Sequence, residues 1–532
     1  MPDEHVLCRS SQLLELLAPQ LAAPADGASF TRSTGTLLRI LRVAVELDHL
    51  PAGTDPWQVM SDGDRGEPVV AWHRDAPGGL TCIAFGVCDD CVSAHDGPGR
   101  MAATEADVRR WRDALIDVGV KDPARLPFAL GGFAFGERRP GDSQSPRNGA
   151  SKNSDGGAWA GWTSRMVVPR WMVVRRGERL EAVFHLPLHP DTVRDDITRL
   201  VEFATDLRVG ERTQPAADPD AHVIEQLIEP APGERERYQR LVERARAAVR
   251  AGEFAKLVTA RSCRLRLDST ASDPLDASAV MHAFRQSQPH CTTFRFDLPH
   301  GHASFVGATP EVLLDLRGRE LTTTALAGTR RRGSNGQTRA IDDSLLHSTK
   351  DSTEQAVVVD TIVDTLRPLC EHIGHTTRRI ARFANVQHIE TPLVATLREP
   401  LGVLQLVARL HPTPAVGGAP REAAQAWIDA NEGLDRGWYA GPVGWISSEL
   451  DGCFVVALRS VVLRPGSATA FAGGGIVADS DPAAEWDETT WKLSAAAHAV
   501  AAVLFDHRHP HHRQPEAPPG VLAGRPSAER QS

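Results

Sequence analysis

Residues 472–493, AGGGIVADSDPAAEWDETTWKL, restrict the possible folds of this chain more than any other stretch. Three consecutive glycines lead into a segment with helical spacing. Pro482 suits the first turn of that helix, and Ser480 or Asp481 can cap it. A glycine run before a helix normally points to a phosphate cradle. This helix, however, carries Glu485, Glu488 and Lys492, spaced three and four apart on one face, and carboxylates repel phosphate. A dinucleotide fingerprint needs G-x-G-x-x-G early in a strand–helix–strand unit, which GGGIVADS does not match. No G-x-x-x-x-G-K-S/T run occurs in the 532 residues. Doubly wound nucleotide folds are set aside on these grounds.

Hairpin signals dominate the rest. Residues 170–189 read as two β-rich runs around a glycine turn, and DLRGREL (315–321) as another turn. Helices are expected over 232–252, where Gly252 stops the periodicity, over 275–287, over 345–370 and over 482–505. Strands are expected over 254–267, 291–297 and 303–308. Strand–helix alternation is not regular, so the fold class is α+β with antiparallel sheet. Residues 138–157 are rich in Ser, Gly, Asn and Pro and read as a loop without fixed structure. Residues 507–532 read as a disordered tail.

The net charge of -9 argues against a nucleic-acid surface, which would be basic. No apolar run reaches the roughly 18 residues of a membrane span, and MPDEHVLCRS lacks the pattern of a secretory signal. A cytoplasmic protein is expected. Cys82, Cys88 and Cys91 include a C-x-x-C, but no fourth ligand stands at zinc spacing, so free thiols are expected.

Several residues carry possible chemistry. Glu485, Glu488 and Lys492 make either a solvated ion-pair face or, flanked by Trp486 and Trp491, part of a covered site. Glu354 shares a helix face with Val357 and Val358. It is either functional or paired with Lys350 one turn earlier, and both readings stand. Oxygen-only carboxylate ligands favour Mg²⁺ over Zn²⁺. Lys256 alternates with Val258 and Ala260 on a strand, and a lysine buried in a cavity can act as a base. Glu311 follows GATP, and a carboxyl in an apolar pocket can act as an acid. Each alone reads as a surface residue, whereas the set reads as a site.

The motifs KLVTAR (256–261), FVGATPEVLL (305–314), ALAGTRRRG (325–333), STKDSTEQAVVVD (348–360), VQHIET (386–391), LHPTPAVGGAPR (410–421), GWYAGPVGW (437–445), FVVALRS (454–460) and AGGGIVADSDPAAEWDETTWK (472–492) stand in one order. Residues 232–505 resemble the chorismate-utilising enzymes, isochorismate synthases in particular. The resemblance implies antiparallel sheets packed as a sandwich with helices outside. It implies a divergent N-terminal part over 1–230 and a chorismate-binding catalytic region over 231–506.

The resemblance further implies water addition at C2 of chorismate with loss of the C4 hydroxyl, Lys256 as general base and Glu311 as general acid. Glu354 and Glu488 would ligate Mg²⁺, with Glu485 a direct ligand, a water-mediated one or a helper. Arg459, Lys492 and backbone N–H groups near Gly473 and Gly475 would take the enolpyruvyl carboxylate. Gly328 and Thr329 would line the ring-carboxylate side, with His388 and Tyr439 near the substrate and Ala415 and Val416 as pocket wall. The HPTPA stretch favours an isochorismate synthase over a salicylate synthase, which would go on to eliminate pyruvate. A non-catalytic chorismate-binding protein is the remaining alternative. The product would feed menaquinone or siderophore synthesis, and the enzyme would be a monomer or homodimer.

Overall fold

The alternation of apolar side chains along the strands builds two large sheets. The structure, a computed structural model, describes residues 10–508 apart from 23–29, 33–34, 38, 51–53, 58–66, 77–78, 93–98, 137–157, 161, 189–192, 207–218, 220, 268–274, 299–302, 332–343 and 384–385. The insert at 138–157, the tail beyond 508 and Cys8 lie outside the described residues. Among the described residues one sheet has 12 strands and the other 10. Pairing among the described residues is antiparallel apart from Arg39–Glu46 beside Leu115–Val118, which run parallel.

Both sheets take strands from either side of residue 230. The larger contains the hairpin Trp171–Arg176/Arg179–Leu188 and, further along, Lys256–Leu265 beside Ser467–Ile476. The smaller joins Ala129–Gly132 and Arg165–Val168 to Pro442–Ile446, Gly452–Val456, Val312–Arg317, Glu320–Arg331 and Val386–Leu397.

Successive strand residues point to opposite faces, and the core divides accordingly. Trp72 and Ala84 join Leu130, Leu314 and Phe454 between the sheets. Their neighbours Ala71 and Ile83 face the helices on the other side of the larger sheet. The closing helix Pro482–Arg508 lies there and packs through Leu493, Ala496, Ala497 and Val500. Its alanines let the backbone come close to the sheet. Asp481 caps it, accepting from the Ala484 N–H at 2.8 Å. The helix Glu234–Arg250 ends as its sequence requires, with Gly252 at φ 79°. The helices Ala277–Ser287 and Thr349–Leu366 also form. No helix among the described residues is long and apolar enough to cross a membrane.

The chain crosses between the sheets at two adjacent corners. Ser304–Thr309 belongs to the larger sheet and Val312–Arg317 to the smaller, so Pro310 and Glu311 form one corner. Gly452–Val456 and Ser460–Arg464 make the reverse passage, with Arg459 at φ 47° in the second corner. The corners bond to each other, Val456 N–H to Glu311 C=O at 3.0 Å and Ala308 N–H to Arg459 C=O at 3.3 Å. The fold thereby sets Glu311 and Arg459 on adjoining corners at the seam.

The described cysteines are free thiols. Burial pushes Cys88 up to about 12 and Cys91 to about 11, so these are neutral. Among the described residues no group of His, Cys, Asp and Glu assembles around Cys82, Cys88 and Cys91 to hold a metal.

Candidate active site

At the seam lies a cavity of about 100 Å³, several times what one water needs. All fifteen residues singled out from the sequence line it: Lys256, Glu311, Gly328, Thr329, Glu354, His388, Ala415, Val416, Tyr439, Arg459, Gly473, Gly475, Glu485, Glu488 and Lys492.

Lys256 opens its strand and is 1% exposed. Its Nζ lies 2.7 Å from Glu354 Oε1. Of the two readings of Glu354, the local partner Lys350 has a side chain outside the described residues, and the ion pair observed runs to Lys256. Glu311 is buried, and its Oε1 accepts from Thr413 Oγ1 at 3.5 Å. Burial pushes its carboxyl up to about 7, against the opposing pull of Lys256, Thr413 and Lys492.

The three glycines have a packing reason. A Cβ at Gly475 would stand 2.8 Å from both Glu354 Oε1 and Lys256 Cε. At Gly474 it would stand 2.9 Å from Glu485 Oε2, and at Gly473 3.0 Å from the Thr259 carbonyl and 3.2 Å from the Tyr439 hydroxyl. Bare backbone is what lets these groups approach the strand. Gly475→Ala is accordingly expected to displace the Lys256–Glu354 pair and lower turnover by about 100-fold while the fold survives. Steady-state kinetics beside circular dichroism measures both.

The strand register also decides where the glycine amides point. Val258 donates its N–H to Gly417 and Ala260 donates to Glu432 Oε2, both away from the glycine strand. Val258 stands opposite Gly475, and Ala260 opposite Gly473. Opposed antiparallel residues exchange both hydrogen bonds or neither. The backbone groups of Gly473 and Gly475 therefore face away from the Lys256 strand. On that side pairing with Ser460–Arg464 reaches only to Ala470. Lys492 Nζ takes up the space, donating to Gly473 C=O at 2.8 Å and pairing with Glu488 at 2.8 Å. Glu485 is 4% exposed and accepts from Ser480 Oγ at 2.8 Å.

Gly328 sits in a bulge at φ 67°, where a side chain would press on Asp351. Its carbonyl accepts from His388 Nδ1 at 3.1 Å, and Arg459 Nη2 donates to His388 Nε2 at 3.0 Å. A carbonyl on one nitrogen and a guanidinium on the other fix the neutral Nδ1–H tautomer. Burial and the charges of Arg459 and Lys492 hold the imidazole well below its ordinary range, consistent with that tautomer. Tyr439 stacks on Phe471 at 5.4 Å between centroids.

Sequence reasoning missed Arg436, Arg330 and Thr413. Arg436 is buried, forks onto Glu432 and donates to the Val416 and Val258 carbonyls, tying the pocket wall to the Lys256 strand. It precedes GWYAGPVGW by one residue, which was its only signal. Arg330 pairs with Asp351 at 2.7 Å, which gives the TRRRG arginine at that position a partner.

Among known proteins, the chain is 34% identical over 468 residues to a salicylate-biosynthesis isochorismate synthase of Pseudomonas aeruginosa, covering 87% of this chain and 90% of that one. An isochorismate synthase of Bacillus subtilis is 36% identical over 254 residues, 47% of this chain and 53% of its own length. The solved structure of the menaquinone-specific isochorismate synthase of Escherichia coli superposes with a TM-score of 0.69 at 23% identity, covering 92% of this chain and 100% of that one, a likeness of fold. The family described as chorismate binding enzyme matches residues 39–501, taking in the N-terminal strands as well as the motif-bearing region. The chain belongs to the chorismate-binding enzyme family.

Proposed function

We propose that this protein is an isochorismate synthase. The observation that carries the reading is one cavity that unites a buried lysine, a carboxyl that keeps its proton near neutrality, and a guanidinium whose hydrogen-bond partners among the described residues are neutral. Chorismate is a dicarboxylate. A water adds at C2, the ring double bonds shift, and the C4 hydroxyl leaves as water, so the net change is an isomerisation. Lys256 takes a proton from the incoming water and Glu311 gives one to the departing hydroxyl. Arg459, Lys492 and the Gly473 and Gly475 amides hold the enolpyruvyl carboxylate. Gly328 and Thr329 line the ring-carboxylate side, with His388 and Tyr439 beside them, and Ala415 and Val416 close the wall.

The donor set fits Mg²⁺. Glu354 and Glu488 offer oxygen to one cavity, and the missing side chain at Gly475 leaves a cradle beside Glu354. Among the described residues no group of three or more His, Cys, Asp and Glu is placed to hold a metal, so Glu354, Glu485 and Glu488 do not form a three-carboxylate site, and Glu354 and Glu488 would rely on water and substrate for the remaining positions. Bound there, Mg²⁺ would neutralise the ring carboxylate and relieve Lys256 as the partner of Glu354. Glu485, held by Ser480, supports the same region.

The purified protein, given chorismate and Mg²⁺, is expected to form isochorismate on chromatography. Chelation should abolish turnover and Mg²⁺ restore it. Salicylate as main product would sink the assignment in favour of a synthase that eliminates pyruvate.

A further inference from the structure

Three buried arginines elsewhere in this fold have an acid of their own. Arg436 pairs with Glu432 at 2.6 Å, Arg261 with Glu234 at 2.9 Å and Arg295 with Asp297 at 2.6 Å. Arg459 is 8% exposed and departs from this pattern. Its guanidinium faces Gln288 Oε1 at 3.4 Å, Cys291 Sγ at 3.7 Å and His388 Nε2 at 3.0 Å, and it lies 4.7 Å from the centre of the Phe383 ring. Among the described residues none of these partners is negative. Cys291 is buried and held neutral, its thiol pushed up to about 11. A buried charge ordinarily requires a counter-charge.

We propose that Gln288, Cys291 and His388 form an uncharged cage that orients Arg459 while leaving its charge for a substrate carboxylate. A carboxylate in any of these positions would orient the fork equally well and cancel the charge. Gln288 is placed firmly for this duty. It ends the helix Ala277–Ser287, donating its N–H to Phe284 at 2.8 Å, and its own carbonyl accepts from Cys291 N–H at 3.0 Å. The side-chain amide supplies an oxygen acceptor where a glutamate of the same shape would supply a charge. Gln288 is a positioning residue, and the selectivity for an anion resides in its neutrality. The proposal rests on the reading of Arg459 as the holder of a substrate carboxylate.

Gln288→Glu tests it, because the change is nearly isosteric. Calorimetric titration with chorismate is expected to show affinity at least about tenfold weaker. The melting temperature without ligand should hold or rise, since the new carboxylate pairs with Arg459. Gln288→Leu removes the hydrogen bond without adding charge and should keep affinity within about threefold of the parent. Cys291→Asp is the second variant if Gln288→Glu fails to fold, with the same expected loss of affinity. Parental affinity in Gln288→Glu, or an equal loss in Gln288→Leu, would overturn the cage. A parent that binds chorismate without converting it would refute the synthase assignment and leave the cage standing.

Discussion

Lys256→Ala should lower turnover by about 10²–10⁴-fold, the usual contribution of a positioned proton-transfer group. The side chain is 1% exposed and its amine sits 2.7 Å from Glu354, so the substitution has two effects. It removes the proposed base, and it takes the Lys256 ammonium away from a largely covered carboxylate. Removing one member of a buried ion pair destabilises by about 3–5 kcal/mol, less here because Glu354 keeps 12% side-chain exposure. Chemical denaturation separates that loss from the kinetic one. Mg²⁺ should also raise the melting temperature of the variant more than that of the parent, because the Lys256 ammonium then no longer competes with it for Glu354. Full turnover in Lys256→Ala would remove this residue from the mechanism. Equal Mg²⁺ shifts would remove Glu354 from the ligand set.

Glu311→Gln should cause a kinetic loss of the same order and should also change how stability depends on pH. Burial raises the Glu311 carboxyl from 4.5 to about 7. The acid is available below pH 7, so turnover should fall as pH rises through that value. The same shift acts on stability. The native state binds this proton more tightly than the unfolded chain, so the contribution is full below pH 4.5 and is lost as pH rises through 7. The integrated change is about 3 kcal/mol. Glutamine has no proton to lose. The variant should therefore show a flatter stability profile between pH 4.5 and 7 and be more stable than the parent at pH 8. Denaturant titrations at three pH values test the sign. A variant less stable than the parent at pH 8 would mean that the carboxylate is held there by partners stronger than burial.

The candidate site was legible in the sequence because its residues sit in short motifs whose chemistry makes sense together. Lys256, Glu311, Glu354 and Glu488 come from separate stretches and line one cavity. The pairing between them was not legible. Helical spacing offers Lys350 to Glu354, and it gives no hint of the ion pair to Lys256, on another element far away in the chain. Arg436 and Gln288 escaped notice for a related reason. Each is placed by long-range contacts, Arg436 with the Val258 carbonyl and Gln288 with Arg459, and no local pattern announces such contacts. The glycines were read as amide donors. Their closeness to Glu354, Glu485 and Tyr439 is a property of packing that only coordinates reveal.

The fold followed the same rule. Hairpins at 171–188 and 312–331 follow from turn glycines and alternating strands. The interleaving of early and late strands within one sheet leaves no periodic trace, and neither does the parallel pair formed by Arg39–Glu46 and Leu115–Val118.

That interleaving bears on how the protein is made. The strand that begins with Lys256 has its long neighbour at Ser467–Ile476, about 200 residues later. At a synthesis rate of about 5–20 residues per second, roughly ten to forty seconds pass before that neighbour emerges from the ribosome. Through that interval the nascent chain presents Leu257, Val258 and Ala260 on a strand without its main partner, a template for wrong pairing. The proposed catalytic centre is thus among the last parts of the molecule to be completed. A transcript cut short before codon 472 would yield most of the two sheets and none of the glycine run or the closing helix.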